Sequence, residues 1–143
     1  MNTELQLHPL RTLIVDNSKL FLTCLQRLLK VQGVVQVVGT AADGREAVEM
    51  AGKLTPDLVL MDLHMPGMDG LQATMLLRQQ VPDSRIIIMT ANETDSMASF
   101  CRNHGAHGFV SKYQMLNSLA VEIERIFPAG TQALKPEKVI SLK

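Results

Sequence analysis

The segment PDLVLMDLHMPGMDG occupies residues 56–70. Its apolar run Leu58–Met61 has the length of a strand and no polar alternation, which indicates a strand buried on both faces. The run stops at the carboxylate of Asp62. The residues after it carry the loop formers Pro66, Gly67 and Gly70. A strand buried on both faces belongs to a parallel sheet, so the elements around this segment decide the architecture.

Strands of this kind alternate with stretches of helical periodicity along the whole chain. The predicted strands are Thr12–Val15, Val34–Gly39, Leu58–Met61, Arg85–Thr90 and His107–Val110. The predicted helices are Lys19–Gln32, Gly44–Lys53, Leu71–Gln80, Glu93–His104 and Tyr113–Phe127. Because each parallel crossover has to run back along the sheet, and a helix is the usual means, the pattern predicts an α/β fold with helices on both faces.

The first predicted helix has one apolar stripe, and Ser18 is its expected cap. We expect this stripe to consist of Leu20, Phe21, Cys24, Leu25, Leu28 and Leu29. Cys24 and Cys101 both fall in predicted helices without metal-ligand spacing, so we interpret them as small buried thiols without chemistry.

Length and composition narrow the class of protein. A chain of 143 residues, 46% hydrophobic and 20% charged, fits one globular domain. Lys and Arg number 14, as do Asp and Glu, which disfavours direct binding to nucleic acid. The chain has neither a signal-peptide pattern nor an apolar run that could span a bilayer, so we expect a cytoplasmic protein without a membrane contact.

Polar side chains follow the predicted strands where they end. Asp16 and Asn17 follow the first strand, Asp62 the third and Thr90 the fourth, and Lys112 comes shortly after the fifth. In a doubly wound sheet, ligands bind beyond these carboxyl ends. Two carboxylates and an amide suit Mg²⁺, while a hydroxyl and an ammonium can hold phosphate oxygens.

Four segments in this order resemble the response-regulator receiver family of two-component signalling, and most closely the NarL/FixJ-type regulators. They are LIVDNS (13–18), PDLVLMDLHMPGMDG (56–70), IIIMTAN (86–92) and GAHGFVSK (105–112). The resemblance covers residues 11–127, the expected receiver domain, with 1–10 as an N-terminal extension and 128–143 as a tail or linker. It implies a flavodoxin-like (CheY-like), three-layer α/β/α fold with strand order 2-1-3-4-5.

The resemblance also implies a function for the residues at the strand ends. Asp62 would accept a phosphoryl group from a histidine kinase, a phosphotransfer protein or a small donor, with Lys112 and Thr90 on the phosphoryl oxygens. The chain would be a signalling switch in a phosphorelay and not an enzyme, although it would assist its own phosphorylation and dephosphorylation.

A magnesium ion is the cofactor that the resemblance implies, bound by Asp16, Asp62 and the backbone carbonyl of His64. Family members usually carry a second acid where this chain has Asn17, and an amide ligand brings no charge, so we expect weaker magnesium binding. The alternative is therefore a degenerate receiver that works as an interaction module without phosphate.

The family's switch is a hydroxyl residue with an aromatic residue behind it, which correspond here to Thr90 and Phe109. Taken alone, Phe109 is more typical of a core position. The face formed by the fourth helix, fifth strand and fifth helix is then the expected contact for an effector or a second copy of the chain.

Other features have simpler interpretations. His64, His104 and His107 lack ligand spacing and are expected to be packed or exposed, and Asp69 and Gly70 suit a turn and helix cap.

The tail, with two prolines, fits either a free-standing receiver or the front of a longer protein. A flavin-binding protein of the same strand order is disfavoured because its phosphate loop and aromatic residues are missing.

Overall fold

The computed structural model describes residues 9–91 and 94–128. Its strands are β1 (Leu10–Val15), β2 (Val35–Ala41), β3 (Leu58–Asp62), β4 (Arg85–Thr90) and β5 (Gly108–Ser111). Its helices are α1 (Lys19–Gln32), α2 (Gly44–Leu54), α3 (Gly70–Gln80), α4 (Asp95–Asn103) and α5 (Met115–Ile126), and a short 3₁₀ helix (Lys112–Gln114) joins β5 to α5.

The five strands form one parallel sheet in the order β2-β1-β3-β4-β5. The predicted doubly wound α/β fold is thus confirmed. Strand order reverses at β1, so the carboxyl ends of β1 and β3 lie side by side with helices leaving to opposite faces. This is where such sheets bind ligands.

Alternate side chains of each strand pack into two cores, one on each face of the sheet. In β3, Leu58 and Leu60 join the core covered by α1 and α5, while Val59 and Met61 join the core covered by α2, α3 and α4. All four side chains are fully buried, which fixes the strand that ends in Asp62. Each such side chain stabilises the fold by about 1.5–3 kcal/mol through burial.

The predicted stripe on α1 was partly wrong. Leu22, Leu25 and Leu29 face the core, whereas Leu20 is 76% exposed and Cys24 is exposed too. Apolar residues cover more than half of the helix circumference, so two neighbouring stripes fit the 3.6-residue period and the sequence does not choose between them. Cys101, by contrast, is buried as expected.

Helix ends follow the expected chemistry with small shifts. Ser18 caps α1 by accepting a hydrogen bond from Phe21 N, and Asp43 caps α2 by accepting one from Glu46 N. The last helix begins later than predicted, because Lys112–Gln114 form the 3₁₀ helix first. The expected N-terminal extension up to residue 8 and the tail from residue 129 onward lie outside the described residues, as does Glu93.

Candidate functional site

Two carboxylates lie close together at the point where the strand order reverses. Asp62 is the last residue of β3, and Asp16 directly follows β1, which pairs with β3. Both are almost fully buried, with 1% of Asp16 and 3% of Asp62 exposed. Two buried acids at one sheet edge repel each other and need a cation between them.

The ammonium of Lys112 provides that cation. Its Nζ lies 2.6 Å from Asp16 Oδ2 and 3.2 Å from Asp62 Oδ1, and 18% of the side chain is exposed. Lys112 reaches the carboxylates because it opens the 3₁₀ helix directly after β5. The structure therefore brings together three of the residues that the sequence placed at the strand ends.

Backbone amides hold the two carboxylates in place. Ser18 N donates a 2.8 Å hydrogen bond to Asp16 Oδ1, and the backbone N–H of His64 donates to the Asp62 carboxylate. Within the described residues, Asp16 Oδ2 has the Lys112 ammonium as its ion-pair partner and accepts no hydrogen bond besides it. One oxygen of Asp16 is thus held by the backbone, and the other is directed at the site.

Burial and charge shift the proton affinity of the acceptor candidate. Loss of hydration and the neighbouring charge of Asp16 raise the pKa of Asp62, while Lys112 and the amide of His64 act in the opposite direction. Burial is the largest of these effects. A raised pKa makes the ionised carboxylate a stronger base and a better nucleophile than an ordinary surface aspartate.

The site fits a divalent cation with few protein ligands. Residues 9–91 and 94–128 contain no cluster of three or more His, Cys, Asp or Glu side chains that could hold a metal. Asp16 and Asp62 would supply the charge, and the exposed residues Asn17 and His64 flank them in the sequence. Magnesium commonly binds through one or two carboxylates and keeps several waters, so this donor set suits it.

The loop between β3 and α3 returns directly over the site. Gly70 N donates to Leu63 O at 2.9 Å, and a Cβ added at Gly70 would lie 2.0 Å from Asp62 O. Asp69 and Gln72 form a reciprocal capping box at the start of α3. The structural interpretation of Asp69 and Gly70 is confirmed, and Gly70 is required because backbone packs against backbone there.

Thr90 and Phe109 lie on the neighbouring strands. Thr90 is fully buried at the end of β4, one residue beyond Met89, which pairs with Asp62. Phe109 lies on β5, pairs with Ile88 of β4 and is only 4% exposed. The two residues therefore connect the acidic edge of the sheet, which carries Asp16 and Asp62, to the surface between α4, β5 and α5.

Two contacts were missed by sequence reasoning. The ring of Phe21 lies under the Lys112 ammonium, 4.5 Å from ring centroid to Nζ. His107 Nδ1 accepts a hydrogen bond from Ile86 N at 3.0 Å, so His107 is part of the sheet edge. Both depend on residues far apart in the chain, and neither has a signal in the local pattern.

Comparison with known proteins gives a consistent result. Residues 12–124 match the family model of the response regulator receiver domain. The chain is 34% identical over 128 residues to the response regulator GacA of Pseudomonas aeruginosa, which covers 90% of this chain and 59% of that protein. The chain thus spans less than two thirds of the length of such relatives.

Solved structures share the fold. A LuxR-family two-component response regulator from Aurantimonas sp. superposes with a TM-score of 0.78 at 33% identity, over 92% of this chain and 94% of that one. The receiver domain of the response regulator NarL from Mycobacterium tuberculosis gives 0.69 at 27% identity, over 94% and 96%. Among the described residues, no helix combines the length and apolarity needed to cross a membrane.

Proposed function

The chain belongs to the response regulator receiver family, and we propose that it is a phosphorylation switch in which Asp62 accepts the phosphoryl group. The observation that carries the proposal is the buried pair Asp16 and Asp62, bridged by Lys112 at the carboxyl edge of the sheet. A purely structural ion pair needs one acid and one base. A second buried acid is costly, and a function explains it better than stability does.

The reaction is an in-line displacement at phosphorus. A carboxylate oxygen of Asp62 forms a bond to the phosphorus, while the bond from phosphorus to the donor's nitrogen breaks and its electron pair stays on that nitrogen. The donor is a histidine kinase, a phosphotransfer protein or a small phosphoramidate. The product is an aspartyl phosphate, which water later hydrolyses.

Several groups around Asp62 assist this step. Lys112 pairs with a phosphoryl oxygen, and the hydroxyl of Thr90 donates a hydrogen bond to another. Asp16, Asp62, Asn17 and the carbonyl of His64 would hold a magnesium ion, which neutralises charge in phosphoryl transfer. The raised pKa of Asp62 means that the reaction slows in acid, when the nucleophile is protonated.

Intact mass after incubation with phosphoramidate, with and without magnesium, tests the proposal. We expect a magnesium-dependent gain of one phosphoryl group in the wild type and none in Asp62→Asn. The exposed Asp83→Asn is the matched control and should be phosphorylated normally. A folded wild type that gains no mass at any magnesium concentration would contradict the proposal.

The second candidate function is a receiver that works without phosphate, and Asn17 is the observation that favours it. Asn17 leaves the site with two acids, so magnesium binding is expected to be weak. We predict that Asn17→Asp lowers the magnesium concentration for half-maximal phosphorylation by about tenfold, because a third carboxylate adds negative charge beside the ion. This factor corresponds to about 1.4 kcal/mol of added attraction.

The control for this prediction is Asn103→Asp, which adds the same charge at an exposed position on α4. It should leave the magnesium dependence unchanged. If Asn17→Asp becomes phosphorylated while the wild type does not, the phosphate-independent module is the better description of this protein.

We further propose that the output surface is the groove between α4, β5 and α5. It has a volume of about 390 Å³, and its lining includes Phe109, Val110, Arg102, Glu122 and Val121. Val121 is 68% exposed, so the groove offers an apolar contact beside an ion pair of Arg102 with Glu122 at 3.0 Å. An effector or a second copy of the chain would bind there when Phe109 changes position.

A further inference from the structure

Phe21 and Lys112 form a contact that the receiver site as described does not require. The ring belongs to the first turn of α1, and the Lys112 Nζ lies 4.5 Å from its centroid. A cation within about 6 Å of an aromatic face is attracted by the ring quadrupole, and more strongly where water is excluded. With 18% of its side chain exposed, Lys112 is largely shielded from water.

The fold constrains Phe21 both through its backbone and through its ring. Phe21 N donates a 3.1 Å hydrogen bond to Ser18 Oγ, which ties the residue to the cap of α1. Ser18 N in turn donates to Asp16, so the cap and the carboxylate share one turn of backbone. The partly buried ring also packs against the core under α1 and α5. The cap of α1 and the packing of the ring therefore keep Phe21 beside the site.

The ring and Asp16 hold the ammonium in different ways. Asp16 Oδ2 is both the shortest contact of Lys112 and a candidate ligand for a divalent cation, so the two cations compete for it. The aromatic face has no such second role. When Asp16 releases the ammonium, Phe21 still attracts it and limits where the flexible lysine side chain can go.

We propose that Phe21 is a positioning residue that keeps the Lys112 ammonium beside Asp62, ready for the incoming phosphoryl oxygens. The inference rests on the proposed function, because it assigns Phe21 a part in that reaction. It requires an aromatic face at this position, and an aliphatic side chain of similar size does not replace it.

The test compares Phe21→Leu with Phe21→Tyr, and uses Leu20→Ala on the exposed side of α1 as the control. With phosphoramidate and saturating magnesium, we expect the phosphorylation rate of Phe21→Leu to fall by about two- to tenfold. Phe21→Tyr should restore the rate, and Leu20→Ala should not change it. Thermal melting of all three variants shows whether each is folded.

A second readout does not depend on phosphorylation. The ε-methylene protons of Lys112, observed by NMR, should be shifted upfield by the ring current in the wild type and in Phe21→Tyr, and not in Phe21→Leu. Absence of this shift from the wild type would show that the lysine does not stay over the ring, and would overturn the inference.

The kinetic outcomes separate the inference from the proposed function. If the wild type is phosphorylated and Phe21→Leu reacts at the same rate, the inference is wrong while the proposed function stands. If Phe21→Tyr is as slow as Phe21→Leu, the ring matters only through packing and the inference again fails. A wild type that takes up no phosphoryl group overturns both.

Discussion

Asp62 shows at the scale of one residue how the site departs from what stability alone would favour. The residue is 3% exposed and lies beside a second buried acid. Burial and the charge of Asp16 raise its pKa, so the folded protein binds a proton at this position more tightly than the unfolded chain does. Folding thus disfavours the carboxylate, the form that the proposed reaction needs as nucleophile, relative to the protonated acid.

Asp62→Asn should therefore stabilise the protein at neutral pH. A group with a raised pKa in the folded state contributes full stability below its ordinary value of 3.8, and that contribution is lost as the pH rises through the folded pKa. We expect the melting temperature to rise by about 2–5 °C at pH 7, and the gain to disappear near pH 3.8. Thermal denaturation followed by circular dichroism measures it, with Asp83→Asn as the surface control. A variant less stable than the wild type at pH 7 would show that the Lys112 pair outweighs burial.

The pKa of His107 is shifted in the opposite direction to that of Asp62. Burial, followed by the charges of Arg78, Arg85 and Arg125, lowers its pKa from 6.5 to about 4, and its Nδ1 accepts the Ile86 amide only when unprotonated. Its contribution to stability is full above pH 6.5 and is lost as the pH falls through 4.

We predict that His107→Asn flattens the loss of stability between pH 6.5 and 4, because the amide oxygen can accept the same hydrogen bond without titrating. Since His107 is only partly buried, solvent screening reduces the effect to about 1–2 kcal/mol. Urea unfolding at pH 7 and pH 4.5 measures it, and His64→Asn at an exposed position is the control. If the wild type and His107→Asn lost the same free energy of unfolding between pH 7 and pH 4.5, the role of this hydrogen bond would be contradicted.

At the scale of elements, the start of α3 is built around contact between two backbones. A Cβ on Gly70 would lie 2.0 Å from Asp62 O and 3.0 Å from Leu63 Cα, and neither atom can move without displacing the end of β3. In Gly52, the added Cβ would meet Gln80 Nε2 at 2.7 Å, which is the far end of a flexible side chain.

The two glycines should consequently respond differently to substitution by alanine. Gly70→Ala is expected to destabilise the fold by about 2–4 kcal/mol through backbone displacement, and to reduce phosphorylation of Asp62. Gly52→Ala lies inside α2, where alanine is favoured over glycine by about 0.5–1 kcal/mol, so it should be neutral or slightly stabilising. Chemical denaturation of both variants provides the comparison. Equal effects of the two substitutions would argue against the tight loop.

The elements also show what the sequence could predict. Strand lengths, caps and the order of elements follow from local chemistry, so the strand Leu58–Met61 and the cap Ser18 were predicted correctly. The inner face of α1 was not, since Leu20 and Leu22 fit the period equally well until the sheet is in place. A local pattern determines an element but does not set its rotation about its own axis.

The whole molecule explains why the site could be predicted only in part. The parallel order of strands brings Asp16, Asp62 and Lys112 to one edge, and this follows from topology alone. The contact of Phe21 with Lys112 and the bond of His107 to Ile86 depend on how α1 and β5 pack, which no local spacing encodes. Chemistry carried by strand ends is therefore easier to predict than chemistry carried by helix faces.

The same topology links the acidic edge to the groove between α4, β5 and α5. Thr90 ends the strand next to Asp62, and Phe109 lies one strand further and also lines the groove. If a phosphoryl group on Asp62 attracted the Thr90 hydroxyl, the movement would open space behind Thr90. The buried ring of Phe109 can fill that space only by leaving its place beside the groove.

Phosphorylation should accordingly change amide hydrogen exchange in α4 (Asp95–Asn103) and β5 (Gly108–Ser111), while α2 (Gly44–Leu54) stays the same. The measurement compares the wild type with and without phosphoramidate and magnesium, by mass spectrometry of proteolytic peptides. Asp62→Asn in the same buffer controls for the donor and the metal, and should show no change. The groove and α2 lie at different places around the sheet, so α2 serves as an internal reference. A general stabilisation of the fold would slow exchange in both. Complete phosphorylation without a change in the α4 and β5 peptides would mean that this groove is not the output surface.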